Sequence, residues 1–223
     1  MEILENLSFS PHKKPKKLIF MLHGYGDTAN NFINISSLLH VEEWEANYFA
    51  LNAPSIIPNY PIGRQWFDLY PNGIYISEFS EKEIEIVKNE ISSALKLIIN
   101  SIYIIKKKFD LDFSDCFILG FSQGGMMTFE FGNYCKESLA GLAIISGRIF
   151  KKRKIINKSF LQSPIFISHG ENDEVIPISH YYESCEFLKK NSFKYENYLL
   201  NNDTHIISIK AIEFLQKFIK KNI

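Results

Sequence analysis

Short, continuous apolar runs alternate with longer amphipathic segments along most of the chain, and this alternation restricts the fold more than any other feature. The runs at 17–22, 48–51 and 116–121 show no regular polar alternation, which is typical of strands buried on both faces of a sheet. Several of the segments between them place apolar residues at helical spacing. Strands and helices in alternation predict a mostly parallel central sheet with helices on both faces.

The clearest helical element begins after Ser80. Ser80 is followed three residues later by Glu83, which is a capping-box signature, and apolar residues then recur on one face as far as Ile105. Further strands are predicted at 139–145, 164–168 and 195–200, and further helices at 30–40, 123–135, 178–190 and 206–220. Residues 52–79 show few periodic signals and are interpreted as a long irregular segment, a kind that is usually functional or disordered.

The composition limits the class of protein. The chain has 223 residues, of which 46% are hydrophobic and 22% charged, and no repeat or linker divides it, so we expect one domain over residues 1–223. Lys+Arg and Asp+Glu both number 25, which gives no overall attraction to nucleic acid. The basic run 151–154 lacks aromatic stacking residues and is interpreted as a solvated loop. No apolar run approaches the ~20 residues of a membrane span, so no integral membrane insertion is expected.

The cysteine pattern argues against a disulfide framework. The 3 cysteines are far apart and odd in number, which suits a reducing compartment and predicts a cytoplasmic location. No cluster of cysteine and histidine has the spacing of metal ligands. We therefore expect neither a metal nor an organic cofactor.

The most specific chemical signal is a Gly-x-Ser-x-Gly motif, which runs from Gly120 to Gly124 between a predicted strand and a predicted helix. A nucleophile on such a turn has a strained backbone and an exposed hydroxyl, and its neighbours two residues away approach so closely that only glycine fits. Ser122 is therefore the predicted nucleophile. The backbone N–H of Gln123, at the start of the helix, is expected to stabilise an oxyanion.

A nucleophilic serine needs a base, which in this architecture follows the acid in the chain order Ser, Asp/Glu, His. Three histidines follow Ser122, namely His169, His180 and His205. His205 is favoured because it lies between the last predicted strand and the last predicted helix, at the sheet edge beside Ser122. His169 is interpreted as structural, and His180, within a helical pattern, is expected to be exposed.

The acid that orients this base has several candidates, because more than one carboxylate lies in the loop 170–177 and Asp203 is close to His205 in the sequence. Asp173 lies in the loop after strand 164–168 and reaches the required edge if that loop turns through 171–172. Asp203 is only two residues from His205, and its short side chain would have to fold back along its own backbone to reach the ring. We therefore expect Asp173 to be the acid and Asp203 to be a turn residue.

The second oxyanion donor is expected from the loop that follows the strand at 17–22. That loop reads His-Gly-Tyr-Gly-Asp over residues 23–27, and the backbone N–H of Tyr25 is the candidate donor. His23 lies far ahead of the nucleophile in the chain, so it is interpreted as a hydrogen-bonded structural histidine rather than as the base.

Four segments occur in one order: His-Gly-Tyr-Gly-Asp, Trp66-Phe67-Asp68, Gly-Phe-Ser-Gln-Gly-Gly at 120–125, and His-Gly-x-x-Asp-x-x-x-Pro at 169–177. Together they resemble the phospholipase/carboxylesterase family of α/β-hydrolases, which includes acyl-protein thioesterases, over about residues 17–220. The resemblance implies an α/β-hydrolase fold. It also implies a triad and two oxyanion donors at the positions already derived: Ser122, Asp173 and His205, with Tyr25 and Gln123. In the family the base usually follows a glycine, whereas here it follows Thr204.

The predicted function is hydrolysis of carboxylic esters, or of thioesters, by a serine hydrolase that forms an acyl-enzyme. The expected partner is a small-molecule or lipid-like acyl ester, with no nucleic acid, and the existence of a homodimer stays open. Two alternatives also stay open. One is a peptidase or lactonase that uses the same machinery. The other is a non-catalytic binding protein on a hydrolase scaffold, against which the complete set of nucleophile, base and acid argues.

Overall fold

The computed structural model describes residues 2–150 and 154–223, so most of the basic run predicted to be a solvated loop lies outside the described residues. The strands of the described part are β1 (Asn6–Phe9), β2 (Lys17–Leu22), β3 (Ala46–Leu51), β4 (Ser55–Ile57), β5 (Tyr60–Gln65), β6 (Cys116–Phe121), β7 (Gly141–Ile145), β8 (Ile165–Gly170) and β9 (Tyr195–Leu200). The helices are α1 (Ala29–Phe32), α2 (Ile35–Leu39), α3 (Glu81–Lys108), α4 (Gln123–Tyr134), α5 (Ile178–Lys190) and α6 (Ile209–Lys221).

The main sheet has the strand order β1-β3-β2-β6-β7-β8-β9. Strand β1 pairs antiparallel with β3, and the remaining neighbours in this sheet are parallel. The predicted mostly parallel sheet is therefore confirmed. Because the parallel strands share one direction, the loops that follow them all emerge at one edge, where ligands bind in folds of this kind.

Helices cover both faces of the sheet, as predicted. On one face the side chains of β2 and β6 pack with those of α3, α4 and α5, and on the other with those of α1, α2 and α6. Successive residues of one strand alternate between the two layers, so that Phe20 lies in the first and Ile19 in the second. Both faces are thus buried, which explains why the strands read as continuous apolar runs.

Helix α3 begins where its sequence signature predicts. The Ser80 side chain accepts a hydrogen bond from the Glu83 backbone, and the Glu83 carboxylate accepts one from the Ser80 backbone N–H. Three lysines, at 106–108, end the helix, where positive charge is favourable. None of the helices in the described part combines the length and the hydropathy that a bilayer crossing requires.

Several element boundaries differ from the prediction. The helix expected over 30–40 is two short helices, α1 and α2. The segment 52–79 is not wholly irregular, because β4 and β5 form a separate antiparallel hairpin within it. This hairpin was not predicted since its first three β5 residues are exposed and give no apolar alternation. Strand β1 was also missed, because it is a partly exposed edge strand of only 4 residues.

Candidate active site

Ser122 lies on the turn between β6 and α4 with a strained backbone, φ 54° and ψ −118°. A Cβ atom added to Gly120 would lie 2.1 Å from the Gly124 carbonyl oxygen, and one added to Gly124 would lie 2.0 Å from the Leu22 carbonyl oxygen. Both positions therefore require glycine, for the steric reason that the motif implies. The Ser122 backbone N–H donates to the Ile145 carbonyl at 2.9 Å, which ties the turn to the end of β7.

Asp173 and His205 come together at the same edge of the sheet. The Asp173 Oδ2 atom lies 2.7 Å from Nδ1 of His205. Its other oxygen, Oδ1, accepts hydrogen bonds from the backbone N–H groups of Val175 and Ile176 at 2.9 and 2.8 Å. Burial by itself raises the pKa of Asp173, but the hydrogen bonds from His205 and from these two backbone groups outweigh it and hold the pKa below its ordinary value.

Backbone contacts join the two loops that carry Asp173 and His205. The Asn172 N–H donates to the Asp203 carbonyl at 2.8 Å. A Cβ atom on Gly170 would lie 2.3 Å from the Thr204 carbonyl oxygen, so only glycine allows the second loop to approach β8 this closely. The glycine that follows His169 in the motif thus allows the candidate acid and the candidate base to come together.

Asp203 has a different partner. Its Oδ2 accepts a hydrogen bond from the Ser208 hydroxyl at 2.5 Å, and that hydroxyl also accepts from the Ala211 N–H at the start of α6. This contact agrees with the interpretation of Asp203 as a local turn residue and explains why α6 begins at Ile209 rather than at 206.

His169 and His23 are both buried and hydrogen-bonded to the backbone, in agreement with their structural interpretation. His169 lies within β8, where Nε2 donates to the Ile176 carbonyl at 2.8 Å and lies 3.4 Å from Oδ2 of Asp173. His23 Nδ1 donates to the Gly24 carbonyl at 2.7 Å. Burial lowers the pKa of both rings, so each stays neutral around pH 7.

His180 is not exposed, contrary to the prediction. It is 8% exposed, and its Nε2 accepts a hydrogen bond from Nη1 of Arg148 at 2.8 Å. The helical pattern of α5 did not reveal this contact because Arg148, on the loop after β7, is distant in sequence. Burial, together with the nearby Arg148 charge, lowers the pKa of His180 despite the opposing contact with Glu183.

The oxyanion candidates Tyr25 and Gln123 line the same cleft as Ser122 and His205. Within the described part of the chain, neither of their backbone N–H groups has a hydrogen-bond partner, so both are available to a ligand. The Gln123 side chain has a separate task. Its Oε1 accepts from the Trp66 backbone N–H at 2.9 Å, and its Nε2 donates to the Phe67 carbonyl at 2.8 Å.

Trp66-Phe67-Asp68 is one of the four segments that carry the family resemblance, and the structure shows what it contacts. The Trp66 indole N–H donates to the His23 carbonyl at 2.9 Å, so the segment connects the loop after β2 with the start of α4. Those two elements carry the two candidate oxyanion donors.

The cleft has a volume of about 410 Å³ and a largely apolar wall. Most of its apolar and aromatic lining comes from the segment 69–79, from α4 and from the loop before α5: Leu69, Tyr70, Tyr75, Phe79, Met126, Val175 and Ile176. Larger grooves of about 730 Å³ lie elsewhere on the described surface, but neither contains Ser122 or His205.

A mostly parallel sheet covered on both faces, with a serine on a strained strand-to-helix turn and an aspartate–histidine pair beside it, defines an α/β-hydrolase. The crystal structure of esterase PE8 has the same fold, with a TM-score of 0.82 at 20% identity over 99% of this chain and 100% of that one.

The chain belongs to the phospholipase/carboxylesterase family, whose sequence pattern matches residues 7–223. It is 26% identical to acyl-protein thioesterase 1 of Saccharomyces cerevisiae, over 93% of each chain. It is 27% identical to the carboxylesterase SOBER1 of Arabidopsis thaliana, over 93% of this chain and 91% of that protein. The protein is accordingly a hydrolase of the carboxylesterase and thioesterase type.

Proposed function

We propose that this protein hydrolyses carboxylic esters, including thioesters, through a triad of Ser122, His205 and Asp173. The observation that carries the proposal is the 2.7 Å contact between Asp173 and His205 in the cleft that also contains Ser122. Within the described residues Ser122 and His205 share no direct hydrogen bond, a contact that in such sites often tightens only when substrate binds.

In the proposed reaction, Nε2 of His205 takes the proton of the Ser122 hydroxyl as Oγ attacks the acyl carbonyl carbon. Asp173 accepts the Nδ1–H of His205, which selects the productive tautomer and stabilises the imidazolium that forms. The imidazolium then protonates the leaving alcohol or thiol, and the acyl-enzyme remains. Water, activated by the same histidine, releases the acid and regenerates Ser122.

The backbone N–H groups of Tyr25 and Gln123 are proposed to bind the oxyanion of each tetrahedral intermediate. Gln123 is the first residue of α4, so its N–H lies at the positive end of the helix dipole. The strained Ser122 backbone supports this arrangement, because the turn places the hydroxyl and the following N–H at one helix end.

The apolar, aromatic wall of the cleft supports acyl groups of hydrocarbon character as substrates. The names of two relatives, acyl-protein thioesterase 1 and carboxylesterase SOBER1, agree with a thioester or ester as the reacting bond. The alternative hypothesis is that the same residues catalyse the hydrolysis of peptides or lactones. Turnover measured on a panel of model esters, thioesters, lactones and peptides separates these reactions, and a preference for peptides would reject the esterase proposal.

Replacement of Ser122 by alanine tests the nucleophile. Because a triad acts as a unit, we expect Ser122→Ala to lose about 10⁶-fold in kcat on an activated ester while the protein stays folded. A fluorophosphonate probe should label the native protein on Ser122 and leave the variant unlabelled. Ser93→Ala, which changes an exposed serine on α3, is the matched control and should behave as the native protein. Retention of more than a tenth of the native turnover by Ser122→Ala would reject the assignment.

A further inference from the structure

Two histidines and a glutamate meet at the sheet edge opposite the cleft. His12 lies in the connection that precedes β2, and His40 and Glu42 lie in the connection that precedes β3. Because β2 and β3 are parallel, both connections reach the amino ends of the strands. Ser122 follows the carboxyl end of β6, which is parallel to β2, so it lies at the other edge.

The geometry of this cluster, His12, His40 and Glu42, is close to that of a metal site. One ring nitrogen of each histidine and one carboxylate oxygen of Glu42 all lie within 4.8 Å of one another. His40 Nε2 is 3.2 Å from Oε2 of Glu42, and His12 Nε2 is 3.9 Å from Oε1. Zinc bonds of about 2.0–2.1 Å in a tetrahedral site place neighbouring ligand atoms roughly 3.3 Å apart. The Glu42 side chain is 76% exposed, so it can rotate to close the remaining gap.

Groups outside the cluster hold the backbone of His12 and the ring of His40 in place. The His12 backbone is clamped by the buried Asn47, which accepts from the His12 N–H at 3.0 Å and donates to the His12 carbonyl at 2.8 Å. The His40 ring contacts the rings of Phe9 and Tyr48 in edge-to-face geometry, at centroid distances of 5.3 and 5.8 Å. The backbone of one ligand and the ring of another are therefore ordered before any ion binds, which reduces the entropic cost of binding.

Two ring nitrogens of the cluster, Nε2 of His12 and Nδ1 of His40, are buried and have no hydrogen-bond partner in the described part of the chain. The first of them lies 3.9 Å from Oε1 of Glu42. A buried polar atom without a partner is unfavourable, and a bound ion is one of the few things that satisfies it. An ion bound between His12 Nε2 and the Glu42 carboxylate would give this buried nitrogen a partner.

We propose that His12, His40 and Glu42 bind a divalent transition-metal ion, with zinc as the ion that the donor set favours. Two neutral imidazoles and one carboxylate suit zinc, and a water molecule completes its four ligands. His40 would bind the ion through Nε2, the ring nitrogen that lies 3.2 Å from Oε2 of Glu42, with its proton on Nδ1. The ion would link the connection before β2 to the connection before β3, so its effect is on the stability of that edge.

The sequence did not reveal this cluster because the ligand from His12 is separated from the other two by β2, α1 and α2. His40-x-Glu42 is too short a motif to indicate a site, and the spacing of cysteine and histidine predicts no metal. Folding brings the third ligand to the pair.

Isothermal titration of the full chain with zinc chloride, after removal of metal by a chelator, tests the proposal. We expect one equivalent of zinc to bind with an affinity that falls at least tenfold in Glu42→Gln. Glu43→Gln, which changes the adjacent exposed glutamate, is the matched control and should bind as the native protein. Zinc should raise the melting temperature of the native protein and of Glu43→Gln, and raise it less in Glu42→Gln.

His40→Gln should show the same loss of affinity, provided that circular dichroism shows a folded protein without metal. If His40→Gln does not fold, the zinc affinity of Glu42→Gln tests the site by itself, because the exposed Glu42 side chain can be replaced without disturbing the core. His205→Gln should bind zinc as the native protein does, which separates this site from the cleft. No zinc binding by the native protein, or equal affinity in Glu42→Gln, would overturn the proposal.

Discussion

The contacts of single side chains separate two aspartates that the sequence places near the same histidine. Asp173 is buried and accepts from Nδ1 of His205, whereas Asp203 accepts from the Ser208 hydroxyl. The two aspartates have different partners because their side chains point in different directions. The loop after β8 turns its aspartate toward the ring, while Asp203 faces the first turn of α6. The role of orienting acid therefore belongs to Asp173 in the proposed mechanism.

Amide variants of both aspartates test this assignment. Asp173→Asn should lose about 10⁴-fold in kcat, because an amide in place of the acid stabilises the wrong tautomer of the base. Asp203→Asn keeps a hydrogen-bond acceptor for Ser208 and should lose less than about tenfold. The measurement is turnover of one activated ester, with circular dichroism to confirm folding. A larger loss in Asp203→Asn than in Asp173→Asn would show that the acid is assigned wrongly.

At the scale of elements, the segment 66–79 supplies part of the cleft wall and is held in place by side-chain hydrogen bonds at both of its ends. Its start is held by the Gln123 side chain, which bonds the backbone of Trp66 and Phe67. Its end is held by Arg148, which donates to the carbonyls of Ser77 and Glu78 at 3.2 and 3.1 Å. The Tyr75 and Phe79 side chains that line the cleft thus depend on a buried arginine outside the segment.

Replacement of Arg148 tests the hydrogen bonds at the second end of this segment. Arg148→Met leaves the Ser77 and Glu78 carbonyls and the buried His180 Nε2 without their donor, so we expect the free energy of unfolding to fall by about 1–3 kcal/mol. The KM for a hydrocarbon acyl ester should rise more than kcat falls, because the wall of the cleft loosens while the triad stays intact. Urea denaturation and steady-state kinetics measure both effects. Arg64→Met, on β5, is the control, and an equal effect in both variants would argue against a specific role of these hydrogen bonds.

At the scale of the whole molecule, burial of several histidines makes stability depend on pH. Burial lowers the pKa of His23, His169 and His180 below the ordinary value of 6.5. Between those lowered values and 6.5, the unfolded chain binds more protons than the folded chain. The free energy of unfolding therefore rises with pH in this range and falls on acidification.

We expect the urea midpoint of unfolding to be lower at pH 5.0 than at pH 7.5, a range in which most carboxylates stay ionised. His180→Gln should reduce this difference, because it removes one of the three buried histidines that take up a proton on unfolding. An unchanged midpoint between the two pH values would contradict the burial argument.

The two edges of the sheet should also respond separately to metal removal. The proposed reaction uses only protein groups at the carboxyl ends of the strands, and the cluster of His12, His40 and Glu42 lies at the amino ends. We therefore expect exhaustive treatment with EDTA to leave ester hydrolysis unchanged at a temperature well below the melting transition. Loss of activity that added zinc or manganese restores would contradict this expectation.

The strands of the core, the long helix α3 and the position of Ser122 are readable from the sequence because they depend on local patterns. A strand buried on both faces must be apolar throughout, a helix start needs a cap, and the close approach at Gly120 and Gly124 excludes every other residue. These constraints act over a few residues, so they produce sequence patterns that can be recognised without knowledge of the fold.

The remaining features depend on residues that are far apart in the chain. The approach of His205 to Asp173, the burial of His180 by Arg148 and the meeting of His12 with Glu42 each join separate loops. Of these contacts only the Asp173–His205 pair was predicted, from chain order and from the position of the two loops after their strands. No local pattern specifies the other two, since each side chain is compatible with exposure until packing of the sheet places its partner beside it. For the same reason the β4–β5 hairpin, half exposed and held by its neighbours, gave no periodic signal.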